Sequence, residues 1–370
     1  MPGTVVITGG GTGGHVFPMQ AIAEHLRERG WAVSDLHFVG SARGQDRDIL
    51  GAGEIALTTL PGRGLRRSWR ARDLIANVQA ALELLVALAR AIYDVGRWRP
   101  AAVVSVGGYA SFAVDSAAWL WRRPLILVDF DAVPGAVHRL FARGAAARCV
   151  AFGDAAPGVT VTGTPLREAI ESVARDDTAR GAARETFRPP IEKGRTVIVV
   201  MTGSLGSTRV NRAVSDLARR WSARRDVAII HVSGRRDFAD VQAARPALDG
   251  LDYRVVEFAD MAELWAVADV ALCRAGAITV AELAALAIPS VLVPLPGAPD
   301  DHQTKNAQRL VDVGGAVAMS DASCTGENLA RVLDALLDPE TLGAMSEGAG
   351  TIARRHAGQA IASVIASVAS

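Results

Sequence analysis

Cysteine is scarce in this 370-residue chain, and aromatic residues make up only 5% of it. The three cysteines, Cys149, Cys273 and Cys324, are far apart in the sequence and form no C-x-x-C motif. We therefore expect neither a disulfide framework nor a structural zinc site. The formal net charge is only +1, so no strong overall field favours a nucleic-acid partner, and we expect none.

A long apolar run is also missing. The sequence contains no stretch of about 18 uncharged apolar residues, the length that a membrane-spanning helix needs. The nearest approach, residues 82–95, includes Glu83, Arg90 and Asp94. The first residues lead directly into a β-branched segment, without a basic and apolar leader. These features favour a cytoplasmic protein in a reducing compartment.

The sequence does contain a regular alternation of short β-branched runs and helical patterns. Residues 18–30 are a predicted amphipathic helix that ends at Gly30. Near-continuous apolar strands that alternate with helices are typical of a parallel sheet covered on both faces. The predicted strands of the first half are residues 4–8, 35–40, 101–108 and 124–130.

The same alternation restarts in the second half. Its predicted strands begin the segments 196–207, 227–234, 253–258, 270–276 and 289–295. The polar residues 175–195, which include Pro189-Pro190, are interpreted as a connecting segment. The pattern predicts an α/β protein with two Rossmann-like, doubly wound domains that face each other across a ligand cleft.

We place the domain boundary by this restart of the pattern. Residues 1–164 form the predicted N-terminal domain, and residues 165–350 form the predicted C-terminal domain. The Ala-rich residues 351–370 are a predicted helix that packs back on the first domain.

A glycine-rich loop, GGGTGGH, follows the first predicted strand. Gly9, Gly11 and Gly14 formally fit G-x-G-x-x-G, but a dinucleotide loop normally has a carboxylate about 20 residues further on, at the tip of the second strand. The second strand here ends in HFVGSARG, which argues against NAD. His15 at the helix start suits acid/base or diphosphate chemistry, and the helix dipole would keep it neutral. A histidine that only caps the turn is the alternative.

A second candidate anion site lies in residues 273–289. The backbone N–H groups of Ala277, Ile278 and Thr279 would point at an anion from the start of a helix. Glu282 lies about one and a half turns into that helix and can reach back to a sugar diol. A plain helix with a surface glutamate is the alternative.

Two further loops offer polar groups. Residues 296–310 contain Asp300, Asp301, His302 and Gln303, which are suitable partners for sugar hydroxyls. A metal site is the weaker interpretation, because no third cluster supplies matching ligands. In the glycine turn at residues 105–111, Tyr109 is interpreted as either core packing or a wall of the cleft.

Residues 61–78 are strongly basic. Leu65 and Trp69 are interspersed among the arginines, a composition that suits an anionic membrane surface. A solvated basic loop is the alternative. The arginines are Arg63, Arg66, Arg67, Arg70 and Arg72.

These motifs occur in the order found in the MurG family, the peripheral membrane N-acetylglucosaminyltransferases of peptidoglycan synthesis. The chain resembles that family over nearly its whole length. The resemblance implies a GT-B fold and an inverting transfer of GlcNAc from UDP-GlcNAc, without a metal or another cofactor, to a muramyl-pentapeptide on undecaprenyl diphosphate. The motifs that carry it are GGGTGGHVFP, GGYAS, AVPG, GSLG, CRAGAITVAE and DDHQTKNA.

The resemblance also implies roles for individual residues. On the acceptor side, it implies catalytic roles for His15 and Asp129. The implied acceptor-binding residues are Thr12, Gly13, Gly14 and Tyr109. On the donor side, Ser204 and residues 277–279 would touch the phosphates, and Glu282 would hold the ribose. The other implied donor contacts are Ala259 to uracil, His302 and Gln303 to sugar hydroxyls, Asp131 to the sugar and Arg167 at the domain crossing.

The chain departs from the family before the AVPG motif. The family typically has H-E-Q-N where this chain has residues 128–131, V-D-F-D. Asp129 is therefore a shorter carboxylate, and Asp131 replaces an asparagine that contacts the donor sugar. Thr164 likewise stands where asparagine is common. Three alternatives stay open: a relative that glycosylates another lipid phosphate or a natural product, a UDP-sugar 2-epimerase, and a non-catalytic nucleotide-binding protein.

Overall fold

A computed structural model describes residues 3–11, 13–43, 46–62, 71–153, 155–203 and 206–369, with only the backbone described for residues 71–76. The chain divides into two compact units. The first comprises Met1–Glu168 and His356–Ser370, and the second comprises Ala169–Arg355. Each unit contains a parallel β-sheet with helices, so the predicted α/β fold with two Rossmann-like domains is confirmed.

The sheet of the first unit has the order β3-β2-β1-β4-β5-β6-β7, and all its strands are parallel. Its apolar strand residues form the core, and Val5, Val6 and Ile7 are fully buried. The chain reverses its winding direction between β1 and β4, which opens a crevice at the carboxyl ends of these two strands. The strands are Val5–Thr8, Leu36–Ser41, Ala56–Leu60, Ala102–Ser105, Leu125–Asp129, Ala147–Val150 and Val159–Val161, numbered β1 to β7.

The sheet of the second unit has the order β10-β9-β8-β11-β12-β13 and is also parallel. Its switch point lies between β8 and β11, so the loops that follow these strands flank a second crevice. The strands are Thr196–Met201, Val227–Val232, Asp252–Val256, Val270–Cys273, Ser290–Leu292 and Ala316–Ala318, numbered β8 to β13.

The helices connect these strands. In the first unit they are α1 Gly13–Glu28, α2 Asp46–Leu50, α3 Ala71–Trp98, α4 Ser111–Leu120 and α5 Ala136–Phe141. Then follow α6 Glu168–Glu171, α7 Asp177–Thr186, α8 Thr208–Arg220, α9 Phe238–Ala243 and α10 Met261–Val267. The last are α11 Ala277–Ala285, α12 His302–Val311, α13 Gly326–Leu336, α14 Pro339–Thr351 and α15 Ala357–Ala369.

The C-terminal helix α15 packs against α1 in the first unit. Gly358 makes this close approach possible, because a Cβ atom there would lie 1.9 Å from Cδ2 of the buried His25. The exposed side of the contact includes a hydrogen bond from Arg29 to Ser363. The first unit is therefore completed by residues from the end of the chain.

Two details of the sequence interpretation are wrong. Helix α1 begins at Gly13, five residues before the predicted start, so the glycine loop is shorter than expected. Residues 175–195 are more than a connecting segment, because they contain α7. Asp176 caps this helix by accepting a hydrogen bond from the Ala179 N–H at 2.9 Å, and Arg184 donates to Asp269 at 3.1 Å. The helix has no buried residue, so it lacks the apolar stripe that would have indicated it.

Candidate functional site

The glycine loop after β1 is held by a buried aspartate. Asp46, at the start of α2, is fully buried. Its Oδ2 accepts a hydrogen bond from the Gly11 N–H at 2.9 Å, and its Oδ1 accepts one from the Ser41 N–H at 3.0 Å. A Cβ atom on Gly10 would lie only 2.0 Å from this carboxylate. Asp46 therefore fixes the loop between β1 and α1, and the sequence analysis missed it.

A second glycine loop follows β4 and touches the first. Gly108 has a φ of +90°, and a Cβ atom there would lie 2.8 Å from the Gly10 carbonyl oxygen. The half-buried Tyr109 follows, and its hydroxyl hydrogen-bonds with the Ser41 hydroxyl. Its ring lies 3.3 Å from the position of a Cβ on Gly11. Tyr109 thus borders the predicted acceptor loop, which includes Gly13 and Gly14 in the first turn of α1.

His15 lies at the start of α1, beside both loops. Its ring is half-buried and packs edge-on against Phe130, with the ring centroids 5.7 Å apart. Its Nε2 lies 3.9 Å from the position of a Cβ on Gly107. The structure therefore brings His15, Tyr109 and the two glycine loops together at the switch point of the first sheet. Thr12 lies outside the described residues.

Asp129, the last residue of β5, is buried and charge-paired. Its Oδ1 lies 2.6 Å from Nδ1 of His138, and its Oδ2 accepts a hydrogen bond from Arg148 at 3.4 Å. Nε2 of His138 in turn lies 3.0 Å from the Ser105 hydroxyl. Ser105 also donates to Asp115 at 2.9 Å, and burial raises the pKa of Asp115 to about 7. The carboxylate of Asp129 thus belongs to a buried polar network that the sequence analysis did not find.

Two predicted donor contacts lie in the first unit. Asp131 is half-buried in the loop after β5, two residues beyond Asp129. Arg167 lies at the end of the first segment of this unit, with its guanidinium carbon 4.5 Å from the centre of the Phe17 ring. Phe17 belongs to α1, so Arg167 is anchored near the helix that carries His15.

In the second unit, the loops after β8 and β9 are in close contact. Gly206 has a φ of +82°, and a Cβ on Gly234 would lie 2.4 Å from the Gly206 nitrogen. Asn211 on α8 supports the loop after β9 by donating to the Ser233 carbonyl and to Asp237, each at 3.0 Å. These glycines leave room for a ligand to approach the backbone. Ser204, predicted to touch the donor phosphates, lies outside the described residues.

Helix α11 begins with backbone donors that no side chain caps. Gly276 is its N-cap residue, and no side-chain hydrogen bond forms there. Ala277, Ile278 and Thr279 form the first turn, where helix N–H groups have no partner within the helix. The start of α11 is therefore suited to an anion such as a phosphate, as the sequence predicts.

Glu282 lies in the next turn of α11 and is 6% exposed. Its Oε2 accepts a hydrogen bond from Nε1 of Trp265 at 2.8 Å. Trp265 lies on α10, is fully buried, and orients the carboxylate. The half-buried Ala259 precedes α10, whose N-cap Asp260 accepts a hydrogen bond from the Ala262 N–H. The structure excludes the plain surface glutamate, and Trp265 is a second residue that the sequence analysis missed.

The loop before α12 and the first turn of that helix support the start of α11. Oε1 of Gln303 accepts hydrogen bonds from the N–H groups of Ala275 at 3.2 Å and Leu295 at 2.9 Å. The Nε2 group of Gln303 is then the part of this side chain that can donate to a sugar. His302 Nδ1 lies 2.8 Å from the Pro299 carbonyl oxygen. Asp300 and Asp301 precede it, both with a φ of +52°, a strained conformation for residues other than glycine.

The described residues contain neither a cluster suited to a metal ion nor a helix suited to crossing a membrane. Within the described residues, no group of three or more histidine, cysteine or acidic side chains is arranged to hold a metal ion. Among the same residues, no helix is both long enough and apolar enough to cross a bilayer. The side chains of the basic segment, Arg63, Arg66, Arg67, Arg70 and Arg72 with Leu65 and Trp69, lie outside the described residues.

Comparison with known proteins identifies the family. Residues 5–150 match the glycosyltransferase family 28 N-terminal domain, and residues 197–360 match the glycosyltransferase family 28 C-terminal domain. The UDP-N-acetylglucosamine--N-acetylmuramyl-(pentapeptide) pyrophosphoryl-undecaprenol N-acetylglucosamine transferase of Alkalilimnicola ehrlichii is 39% identical over 371 residues, covering 97% of each chain.

Solved structures agree with this assignment. The crystal structure of Acinetobacter baumannii MurG matches with a TM-score of 0.76 at 27% identity, covering 98% of this chain and 99% of that one. The UDP-GlcNAc 2-epimerase of Neisseria meningitidis matches with a TM-score of 0.66 at 14% identity, covering 98% and 99%, which shows a shared fold alone. The predicted GT-B fold and the resemblance to the MurG family are confirmed, and the chain belongs to glycosyltransferase family 28.

Proposed function

We propose that this enzyme transfers GlcNAc from UDP-GlcNAc to a muramyl-pentapeptide carried on undecaprenyl diphosphate, as the names of its curated relatives state for them. The observation that carries the proposal is the pairing of an uncapped helix start at Ala277 with the oriented carboxylate of Glu282. This pairing suits a nucleoside diphosphate, because the helix start attracts phosphate and a carboxylate accepts hydrogen bonds from a ribose diol.

The second unit then binds the UDP moiety. Residues 277–279 and Ser204 contact the diphosphate, and Glu282 binds the ribose hydroxyls. Ala259 meets the uracil through its backbone, while His302 and Gln303 bind sugar hydroxyls. The hydrogen bonds that Gln303 accepts from Ala275 and Leu295 leave its amide group to donate.

The first unit binds the acceptor. In these two glycine loops Gly11 and Gly108 are half-buried, so a lipid-linked diphosphate can approach the backbone there. His15 lies beside the loops. A hydroxyl oxygen of the acceptor attacks the anomeric carbon of the sugar, and His15 takes the hydroxyl proton. The bond from that carbon to the phosphate oxygen breaks, and UDP leaves with the electron pair. One displacement of this kind inverts the anomeric configuration.

We propose that this chemistry needs neither a metal ion nor another cofactor. The charge that develops on the departing UDP faces the start of α11, whose backbone N–H groups stabilise an anion without requiring a cation. Addition of a chelator such as EDTA should therefore leave the rate of transfer unchanged. A rate that falls with EDTA and returns with Mg²⁺ would contradict this part of the proposal.

We also propose that the enzyme acts at the inner face of the cell membrane. Helix α3 carries apolar side chains that are more than half exposed, and the end of α4 adds others. The indole of Trp121 donates to the Ile92 carbonyl oxygen at 2.8 Å and joins the two helices. We call this set the α3–α4 apolar surface; it comprises Val78, Leu82, Leu85, Val86, Tyr93, Trp119, Leu120 and Trp121.

Eight exposed large apolar side chains on two connected helices are unusual for a monomeric protein and are typical of a membrane or protein contact. The basic residues 63–70 immediately precede α3 in the sequence, and Arg72 belongs to the first turn of α3. Arginines next to an apolar surface favour anionic lipid, since each contributes about 1 kcal/mol near such a membrane. Sedimentation with anionic vesicles should therefore weaken in high salt and when Arg66, Arg67 and Arg70 are changed to glutamate. Equal binding to neutral vesicles would contradict the electrostatic contribution.

Donor turnover with and without acceptor tests the activity. UDP-GlcNAc is supplied with or without the undecaprenyl-diphosphate muramyl-pentapeptide, and the products are identified by mass spectrometry. UDP release and a glycosylated lipid only with the acceptor support the proposal. Epimerised UDP-sugar without acceptor would identify an epimerase, and UDP binding without turnover would identify a nucleotide-binding protein. Transfer only to another acceptor would place the chain among glycosyltransferases of other products.

A further inference from the structure

Four buried polar side chains form a continuous hydrogen-bonded network in the first unit. They lie on four different elements, Ser105 on β4, Asp115 on α4, Asp129 on β5 and His138 on α5. None is more than 5% exposed. The network therefore connects the carboxyl ends of two neighbouring strands to the helices that follow them.

Each hydrogen bond of the network has one donor and one acceptor only when the network holds one proton that Asp115 and His138 share. If Asp115 carries it, Asp115 donates to Ser105, Ser105 donates to Nε2 of His138, and Nδ1–H of His138 donates to Asp129. If His138 carries it, both ring nitrogens donate, and Ser105 donates to an ionised Asp115. The distances of 2.9, 3.0 and 2.6 Å fit both arrangements.

Loss of that proton leaves one contact unsatisfied. Asp115 is then ionised and His138 is neutral, and the single hydroxyl hydrogen of Ser105 can serve only one of them. The ionised Asp115 is also poorly solvated, because its Oδ1 has no hydrogen-bond partner within the described part of the chain. A buried acceptor without a donor destabilises the folded arrangement.

The neighbouring titratable groups do not replace this proton. Arg148 on β6 contacts Asp129 rather than Asp115. Burial and the nearby Asp129 raise the pKa of the Cys149 thiol to about 12, so this thiol stays neutral. Other titratable or charged groups on surrounding elements include Glu83, Arg97 and the Arg90–Asp94 pair of α3, His37 of β2, His15 of α1 and Arg139 of α5.

The network lies directly beneath the loop after β4. Ser105 is two residues before Gly107, and the His138 ring lies 3.5 Å from the position of a Cβ on Gly107. Nε2 of His15 lies 3.9 Å from the same point. The loop therefore lies against the network and close to the proposed catalytic base, so a shift of Ser105 or His138 would be transmitted to it.

We propose that Asp115 and Ser105 are positioning residues, and that the proton shared between Asp115 and His138 holds the loop at residues 106–110 in its acceptor-binding arrangement. When the network loses the proton as the pH rises, the loop loosens and acceptor binding weakens. This inference rests on the proposed assignment of the first unit to the acceptor. Binding of UDP in the second unit is not affected.

The decisive variant is Asp115→Asn. An asparagine amide can donate to Ser105 or, turned over, accept from it, so the network stays complete without the shared proton. In the native enzyme, we expect the acceptor KM to rise about tenfold between about pH 6 and pH 8, for a group that titrates near pH 7. In Asp115→Asn this rise disappears, while Ser105→Ala has the weaker binding at every pH. Asp94→Asn removes another buried carboxyl of the same unit and should keep the native pH profile.

A second measurement needs no activity. The imidazole nitrogens of His138 are followed by NMR from pH 5 to pH 9, with the signals assigned by their loss in His138→Gln. We expect the native titration of His138 to change in Asp115→Asn. Identical curves in the two proteins would overturn the shared proton, and a rise of the acceptor KM that persists in Asp115→Asn would overturn its role in acceptor binding. Absence of transfer activity with an altered His138 titration would instead refute the proposed function alone.

Discussion

Trp265 should control donor binding only through Glu282. Its Nε1 donates to Oε2 of Glu282 at 2.8 Å, and both side chains are buried. A hydrogen bond to a carboxylate contributes about 1.5–3 kcal/mol. Trp265→Phe removes this bond, so the Glu282 carboxylate is less firmly oriented toward a bound ribose.

The loss of UDP affinity in Trp265→Phe cannot exceed the loss in Glu282→Ala. Loss of the carboxylate in Glu282→Ala should weaken UDP binding by about 1–3 kcal/mol, which is about 5- to 150-fold in Kd. Trp265→Phe should weaken binding by less than this, since the carboxylate is still present. In the Glu282→Ala background, Trp265→Phe should change the Kd by less than about twofold, which is under 0.5 kcal/mol.

Isothermal titration with UDP on the four proteins of this double-mutant cycle provides the test. Trp221→Phe is the matched control, because Trp221 is another buried tryptophan of the same unit that follows α8. It should leave the Kd for UDP unchanged. If Trp265→Phe weakens binding equally with and without Glu282, the tryptophan acts by general packing and the reasoning is refuted.

Three other substitutions test separate parts of the site. Because burial raises the pKa of Asp115 to about 7, the folded protein binds this proton more tightly than the unfolded chain. The free energy of unfolding should therefore fall by less than about 1 kcal/mol as the pH rises through about 7, because the unfolded chain keeps the proton of the pair on an ordinary histidine until about pH 6.5; urea unfolding of Asp115→Asn should lack that contribution, and a fall of several kcal/mol between about pH 4 and about pH 6 would contradict the shared proton. His15→Ala should lower kcat by about 100- to 10,000-fold with unchanged UDP affinity, and near-normal turnover would make His15 a structural cap. Asp131→Asn should shift the ratio of kcat/KM values toward UDP-GlcNAc over UDP-glucose by about tenfold, and a shift within about twofold would show that Asp131 does not contact the sugar.

Most of the strands that the sequence predicted correctly are apolar runs in the interior of each sheet, and β10 at a sheet edge is the exception. Val197 to Val200, for example, are fully buried on β8, which pairs on both sides. The strands β3, β6, β7 and β13 were not predicted. They have three to five residues and contain alanine, threonine or arginine, so their pairing depends on neighbouring strands rather than on local preference.

For the site, the sequence predicted the loops better than the partners of their side chains. Glycines after apolar strands indicate where the backbone can approach a ligand, and the loops at Gly10 and Gly276 lie at such positions. The hydrogen bond from the Gly11 N–H to the Asp46 carboxylate joins residues 35 positions apart. The bond from Trp265 to Glu282 joins residues 17 apart, on different helices. Such contacts depend on how the strands are ordered in the sheet, which a local pattern does not contain.

The polar network gives a physical account of the departure at residues 128–131. Asp129 has a shorter side chain than the glutamate typical of the family, and His138 lies 2.6 Å from its Oδ1. The pair is buried and is completed by Ser105, so the carboxylate is engaged inside the domain rather than presented to a ligand. A positioning role suits Asp129 better than the catalytic role that the resemblance implied. Of the two predicted catalytic residues, we therefore propose the half-buried His15 as the one that accepts the proton of the acceptor hydroxyl.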